Sequence, residues 1–301
     1  MNRASFRAAS FLDDRLMLQP VDAQIVPWPE VEVAVKDDMR TDARWIFHIG
    51  HVGSTLLSRL LGEVDGVLAI REPRILRDLA MAAPDVRGRY LAAVPKLMSR
   101  TFAGNQTACV KATSFASEIA ATLVPAGERV LFMFATPRNY VASILAGENS
   151  VKELHALADY RRQRLQQRGI ELPTPANDAD RAAIAWACEM TTLEAAAETM
   201  SSVAWADFDK MLGNMASELS RLAYHFQFDA EDEALRAISL GPLMLRYSKD
   251  PNYEYTPQLR DDLIAQELRL QGRDIEGALA MLNAAAEKSP LLARALQRAE
   301  D

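Results

Sequence analysis

Between Arg44 and Thr55 the hydrophobic pattern changes its period, and that change restricts the fold more than any other feature of the chain. Arg44-Trp45-Ile46-Phe47-His48-Ile49 is a short apolar run closed by Gly50, the pattern of a buried strand. A few residues on, Ser54 or Thr55 supplies a helix cap, and Leu56, Leu57, Leu60 and Leu61 share one helical face that ends near Gly62. A strand, a glycine-bearing turn and a helix start leave unpaired backbone N–H groups and the helix dipole pointing outward together. That arrangement makes an anion site, and phosphate is its natural occupant.

The alternation continues along the chain. Asp65-Gly66 marks a turn, after which residues 67–70 read as a second strand delivering Arg71-Glu72-Pro73-Arg74 at its C-terminal end. Residues 107–111 and 130–134 read as further strands, the latter apolar on both faces as in a covered parallel sheet, and 203–208 is the last strand candidate. Helical patterns fill the intervals to about 103 and over 114–124, 138–146, 151–168 and 178–200. The fold expected is α/β, a doubly wound, mainly parallel sheet with a P-loop-type strand-loop-helix and additional C-terminal helices. Its ligands belong where strand C-termini meet helix N-termini. Residues 1–40, interrupted by Pro20, Pro27 and Pro29, form a lead-in rather than a domain. Residues 41–256 form the main domain, and 257–301 a helical hairpin packed on it, which offers a surface for a protein partner.

Composition narrows the function classes. The chain has 301 residues, 49% of them hydrophobic and 25% charged, as in a globular protein with a sizeable core. A net charge of -7 argues against wrapping duplex nucleic acid. Cys109 and Cys188 have no metal-ligand spacing; they are expected as buried free thiols, with a disulfide as the alternative. The N-terminus lacks the apolar core of a signal peptide, and no apolar run approaches the ~18 residues of a membrane span, so a cytoplasmic protein without membrane contact is expected.

The loop is not a Walker A sequence. His48 stands where its first glycine belongs, and Ser54 replaces its lysine. From the residues alone, two readings stand: a phosphate cradle, or a plain turn in which Gly53 supplies tight geometry and Ser54 a cap. The segment Phe47-His48-Ile49-Gly50-His51-Val52-Gly53-Ser54-Thr55-Leu56-Leu57 resembles the phosphosulfate-binding loop of the P-loop sulfotransferases, Gly-x-x-(Lys/Arg)-Ser-Gly-(Thr/Ser)-Thr. Five further segments follow in the family's order. Glu72-Pro73-Arg74 falls where many members carry an acidic residue, and Lys111-Ala112-Thr113 resembles their lysine segment after the third strand. Thr136-Pro137-Arg138-Asn139-Tyr140-Val141-Ala142-Ser143 resembles Arg-Asp-Pro-Arg-Asp-Val-x-x-Ser, which holds the donor's 3′-phosphate. Arg246-Tyr247-Ser248-Lys249 is similar to the basic loop that closes over the nucleotide. The strand over 203–209, ending in acidic residues, also fits, and the resemblance spans roughly residues 44–262.

That resemblance implies a donor, 3′-phosphoadenosine 5′-phosphosulfate (PAPS), held by His51, Val52, Gly53, Ser54 and Thr55 at its 5′ end, by Arg138 and Ser143 at its 3′-phosphate, and by Arg246 and Lys249 from the closing loop. Transfer would go in line to an unknown hydroxyl or amine acceptor, with no metal expected. His51 and Lys111 would stabilise developing charge, and Glu72 would be the general base. Two positions depart from the family. His51 stands for its lysine or arginine, and Ala135 for the arginine that opens the 3′-phosphate motif, leaving Arg138, Asn139 and Ser143 to compensate. His51, with an ordinary pKa of ~6.5, is expected to be protonated beside bound phosphate.

Structural alternatives accompany each candidate. Glu72 also fits a salt bridge to Arg71, Arg74 or Arg77, Lys111 a snorkelling side chain, and Arg138 and Asn139 the start of a surface helix. Arg246 and Lys249 fit solvated loop charges. His48 fits a satisfied core histidine, and His155 and His225 lack metal-ligand company. The basic run from Arg161 to Arg168 fits a solvated helix face or an approach to an acidic acceptor. Two other functions stay open: a kinase-like ATP-dependent transferase on the same loop, with Asp207 and Asp209 as the nearest magnesium partners, and a degenerate module that binds nucleotide or protein without catalysis.

Overall fold

The computed structural model describes residues 2–18, 24–246 and 256–300. Its strands are β1 (Arg44–His48), β2 (Val67–Arg71), β3 (Thr107–Lys111), β4 (Val130–Phe134) and β5 (Val203–Asp207). They lie in the order β2-β3-β1-β4-β5, and every neighbouring pair is parallel. The chain leaves β1 toward β3 and β2 and later returns on the other side through β4 and β5. The turn after β1 therefore lies at the switch point, where parallel sheets open a crevice beyond their strand ends. β2 and β4 are buried along their whole length, as expected of strands covered on both faces.

Aromatic side chains carry the sheet's packing. Phe47 meets Phe132 edge-on with ring centres 6.0 Å apart, and Phe132 meets Trp205 in the same way at 5.1 Å. The helix Asp178–Ala197 is buried nearly all round, including Trp186, and its many alanines let neighbouring helices approach closely. Helices Pro137–Leu145, Pro257–Ala286 and Pro290–Glu300 all pack against it. The last two pack through buried Ile275, Ala278, Leu282, Leu292 and Ala295.

Several expectations change in detail. Residues 151–168 do not make one helix: Glu148–Ala156 and Ala158–Gln167 meet at Leu157, whose φ of -107° and ψ of 4° break the turn. Residues 114–124 make a 3-10 segment, Ser114–Ile119, followed by the single turn Ala120–Leu123. The long hairpin helix is interrupted at Gln271, which has φ -121° and ψ 17°. The run from Arg161 to Arg168 is not a solvated face. Arg161 and Arg164 are buried, and Arg164 is clamped by Glu118, by Glu189 at 3.0 Å and by Thr192 at 2.9 Å. Burial opposes the Arg164 charge, but Glu189 and Glu118 outweigh it and raise its pKa. Burial likewise opposes the Glu118 charge, and Arg164 with Arg168 overcomes it, holding that carboxyl below its ordinary value. A polar run is legible as charge but not as buried charge, because its partners come from distant segments.

Cys109 and Cys188 are free and buried, as expected, and burial pushes both thiols up to about 12.

Candidate functional site

The turn after β1 is shaped by left-handed backbone. Gly50, His51 and Gly53 have φ of 85°, 55° and 60°, a region open to glycine and more accessible to histidine than to β-branched residues. His48 fixes the entry to this turn. Its Nδ1 accepts from the Gly50 N–H at 3.0 Å, and its Nε2–H donates to the Ala112 carbonyl at 3.0 Å, which assigns the tautomer. His48 is thus a satisfied core histidine that ties β1 to the segment after β3.

Ser54 and Thr55 are not caps, contrary to the sequence expectation. Gly53 occupies the cap position, and among the described residues no side chain caps the helix Ser54–Leu61. A left-handed glycine lets the helix begin without a polar side chain folded over its first N–H groups. A Cβ at Gly53 would strike the ring of Phe208, which lies against the loop. The uncapped end opens into a cavity of about 550 Å³.

Lys111 and Glu72 form the floor of one side. Lys111, at the end of β3, is 1% exposed; it ion-pairs with the Glu72 carboxylate, and its Nζ donates to Thr55 Oγ1 at 3.3 Å. It therefore does not snorkel. Glu72 has a φ of 47°, a strained conformation for a non-glycine residue, and its N–H donates to the Lys111 carbonyl at 2.7 Å. Its ionic partner is Lys111, not Arg71, Arg74 or Arg77. Arg71 turns away to the carbonyls of Phe6, Arg7 and Ala9, and its burial lowers its pKa to about 10. Arg74 pairs with Asp14 and Asp78, and Arg77 lies 3.8 Å from Asp14.

These contacts bring the N-terminal lead-in onto the site. Leu12 N–H donates to the Arg71 carbonyl at 2.7 Å and the Leu12 carbonyl accepts from Arg74 N–H at 3.0 Å, extending the end of β2. Phe11 is buried beneath the Arg15 guanidinium, 3.5 Å from its ring centre, and Asp13 and Arg15 line the cavity.

Helices supply the opposite walls. Tyr140 meets His51 edge-on at 6.4 Å between ring centres, and burial raises its phenol pKa. Arg161 lines the cavity beside it, with carboxylate oxygens of Glu189 at 3.6 Å and Glu153 at 3.8 Å. On the other flank Arg260, from the hairpin helix, stacks over Phe208 at 4.7 Å and contacts Asp209 at 2.5 Å. Asp209 also accepts from Asn139 Nδ2 at 2.7 Å, and Asp207 accepts the Asp209 N–H at 2.9 Å as a helix cap. Both aspartates are thereby engaged within the protein.

Of the residues singled out from sequence, His51, Val52, Gly53, Ser54, Thr55, Glu72, Lys111, Ser143 and Arg246 all line the one cavity. Arg138 is set apart: its half-exposed guanidinium pairs with Glu276 at 2.5 Å. Lys249 lies outside the described residues. Ala135 is buried, and its carbonyl accepts from Trp186 Nε1 at 2.9 Å. Arg15 and Arg260 were not assigned to a site in the sequence, and Arg161 entered only with its basic run, as an approach to an acidic acceptor. Their local patterns mark helices and turns, and only tertiary packing shows where they point. Among the described residues, seven arginine and lysine side chains line the cavity against three carboxylates, an excess of positive charge in a chain whose net charge is -7.

Among the described residues no group of three or more His, Cys, Asp and Glu side chains is placed to hold a metal ion. No described helix is long and apolar enough to cross a membrane.

Fold and site together define a parallel α/β protein whose uncapped strand-loop-helix opens into a basic cavity. No family model matches the chain, and no curated protein matches it. Among solved structures, the chain is similar to the sulfotransferase domain from the curacin biosynthetic pathway, at 11% identity and a TM-score of 0.48, covering 78% of this chain and 99% of that one. It is similar to the sulfotransferase domain of the Synechococcus PCC 7002 olefin synthase, at 12% identity and a TM-score of 0.44, covering 76% and 90%. Mouse sulfotransferase SULT7A1, crystallised with PAP, is similar at 10% identity and a TM-score of 0.45, covering 89% and 92%.

Proposed function

We propose that this chain is a sulfotransferase that moves a sulfuryl group from PAPS to a hydroxyl or amine. The observation that carries the reading is the uncapped start of the helix Ser54–Leu61, opening past Gly53 into a cavity with an excess of basic side chains. The motif order around it, from the loop to Ser143, supports the choice of donor.

In this reading Val52, Gly53, Ser54 and Thr55 cradle the 5′-phosphate through backbone N–H groups, and Ser143 and Arg246 face the rest of the nucleotide. The acceptor oxygen or nitrogen attacks sulfur, and its bond to sulfur forms as the bond from sulfur to the bridging phosphate oxygen breaks. Glu72 takes the acceptor's proton. Charge gathering on the bridging oxygen is met by Lys111, already seated on Thr55, and by His51. Adenosine 3′,5′-bisphosphate leaves. This chemistry needs no metal. The same proposal includes a cytoplasmic setting, a lead-in over 1–40, a nucleotide domain over 41–256 and a hairpin over 257–301.

The ATP-dependent alternative draws on Ala135, since ATP carries no 3′-phosphate. It is opposed by Asp207 and Asp209, which are spent on a helix cap and on Arg260 and Asn139 instead of facing a metal. Competition on the purified chain separates the two: adenosine 3′,5′-bisphosphate is expected to displace a fluorescent adenine nucleotide at concentrations where magnesium-ATP does not. Displacement by magnesium-ATP alone would transfer the assignment to a kinase-like enzyme, and displacement by neither would leave a binding module without nucleotide.

A further inference from the structure

Arg260 is a buried cation with an unfinished set of hydrogen bonds. Only 4% of the residue is exposed, yet it lines the cavity. Its Nη1 lies 2.5 Å from Asp209 Oδ1, and Asp261 is 4.0 Å away. Its Nη2 is buried with no hydrogen-bond partner among the described residues. A buried guanidinium normally has its N–H groups satisfied, and leaving one unmet costs free energy unless a ligand completes it. The side chain is also pre-aimed. Phe208 supports it from below while lying against Gly53 of the loop, so loop, ring and guanidinium form one stack.

The surroundings place this cation where the sheet lacks one. Ala135, at the end of β4, carries no side-chain donor, and the next helix begins two residues later. Asn139 of that helix binds Asp209, which holds Arg260, while Ser143, one turn further on, lines the cavity. Helix Pro257–Ala286 packs along the same helix, and Arg138–Glu276 joins the pair again lower down. The guanidinium from the C-terminal helix thus arrives beside the segment that lacks its own.

We propose that Arg260 grips a second phosphate of the nucleotide, distinct from the one in the loop, so that the C-terminal hairpin is a working wall of the donor site and the residue by which a nucleoside bisphosphate is told from a monophosphate. This rests on the donor reading above. The ligand phosphate completes the Arg260 fork, of which only Nη1 is ion-paired with Asp209, and nucleotide binding fastens the first half of the hairpin helix, ahead of its interruption at Gln271.

The test is calorimetric titration of the full chain with adenosine 3′,5′-bisphosphate and with adenosine 5′-monophosphate, repeated on Arg260→Gln and Arg260→Lys. The native chain is expected to bind the bisphosphate at least about tenfold more tightly, the range of a charge-assisted hydrogen bond. Arg260→Gln should bring that ratio close to one by weakening the bisphosphate alone, and Arg260→Lys should recover part of it. An unchanged ratio in folded Arg260→Gln would overturn the proposal and leave Arg260 as a bolt between helices. If Arg260→Gln does not fold, hydrogen exchange on the native chain decides: residues 257–270 should gain protection with bisphosphate and not with monophosphate, and equal protection would overturn it. Failure of both nucleotides to bind the native chain would remove the donor reading itself, a result distinct from an unchanged ratio.

Discussion

The two walls that flank the phosphate loop each bring a buried arginine to it, and they differ in how that charge is compensated. On the Tyr140 side, Arg161 adjoins a crowd: it lies 3.6 Å from Glu189 and 3.8 Å from Glu153, with its own Nε unmet among the described residues, while Arg164 and Arg168 beside it share Glu118 and Thr192. On the Phe208 side, Arg260 faces Asp209 outside any such network and likewise keeps one nitrogen unmet among the described residues. A buried ion network with enough carboxylates is a structural element, costly to break and indifferent to ligand. A buried cation short of acceptors is a receptor for an anion. Each arginine keeps one buried nitrogen unmet among the described residues, so the roles divide on what surrounds it: Arg161 adjoins the Arg164–Glu118–Glu189 network, whereas Arg260 is stacked on Phe208 against the phosphate loop.

Breaking the crowded wall should produce the larger effect. Arg164→Met leaves Glu189 with Arg161 alone and Glu118 with Arg168 alone in a buried site, and should cost about 3–5 kcal/mol of stability in a denaturant titration. The folded fraction should keep its nucleotide affinity, and a matching loss of affinity would mean that both walls bind ligand. A smaller effect comes from pH. Arg164 and Arg168 hold the Glu118 carboxyl below its ordinary value of 4.5, so the folded state binds fewer protons there than the unfolded chain. The stability this confers is complete above pH 4.5 and is lost as pH falls through the lowered folded value. Arg168→Gln should flatten that acid limb in a melting series, and an unchanged limb would remove Glu118 from the network.

What the sequence revealed divides along the same line. The five strands are plain in it because each is a short apolar run bounded by turn residues, and the observed bounds fall within two residues of those expected. The loop was visible because strand, glycine and helix start are consecutive. Lys111, Glu72 and Ser143 were reachable because each sits at the end of a strand or in the first turns after one, where a parallel sheet gathers its ligands. Arg260 was not, and Arg161 stood out only within its basic run, since helices with polar side chains turned inward look from sequence like helices with polar side chains turned outward. The Ser54 cap was also misplaced: a serine beginning a helix reads as a cap, and only the left-handed Gly53 shows that the position was already taken. Phe11, Asp13 and Arg15 lay in a stretch without periodicity, and their place follows from two backbone hydrogen bonds to the end of β2.

The central claim is that the turn from His51 to Thr55 is the phosphate cradle, and Gly53 tests it most directly. Alanine there must hold a φ of 60° and meet the Phe208 ring, at a conformational cost of about 1–2 kcal/mol before the contact is counted. Titration calorimetry of adenosine 3′,5′-bisphosphate into the native chain and into folded Gly53→Ala should show saturable binding in the first and at least about a tenfold loss in the second. Equal affinity in the two proteins would contradict the cradle.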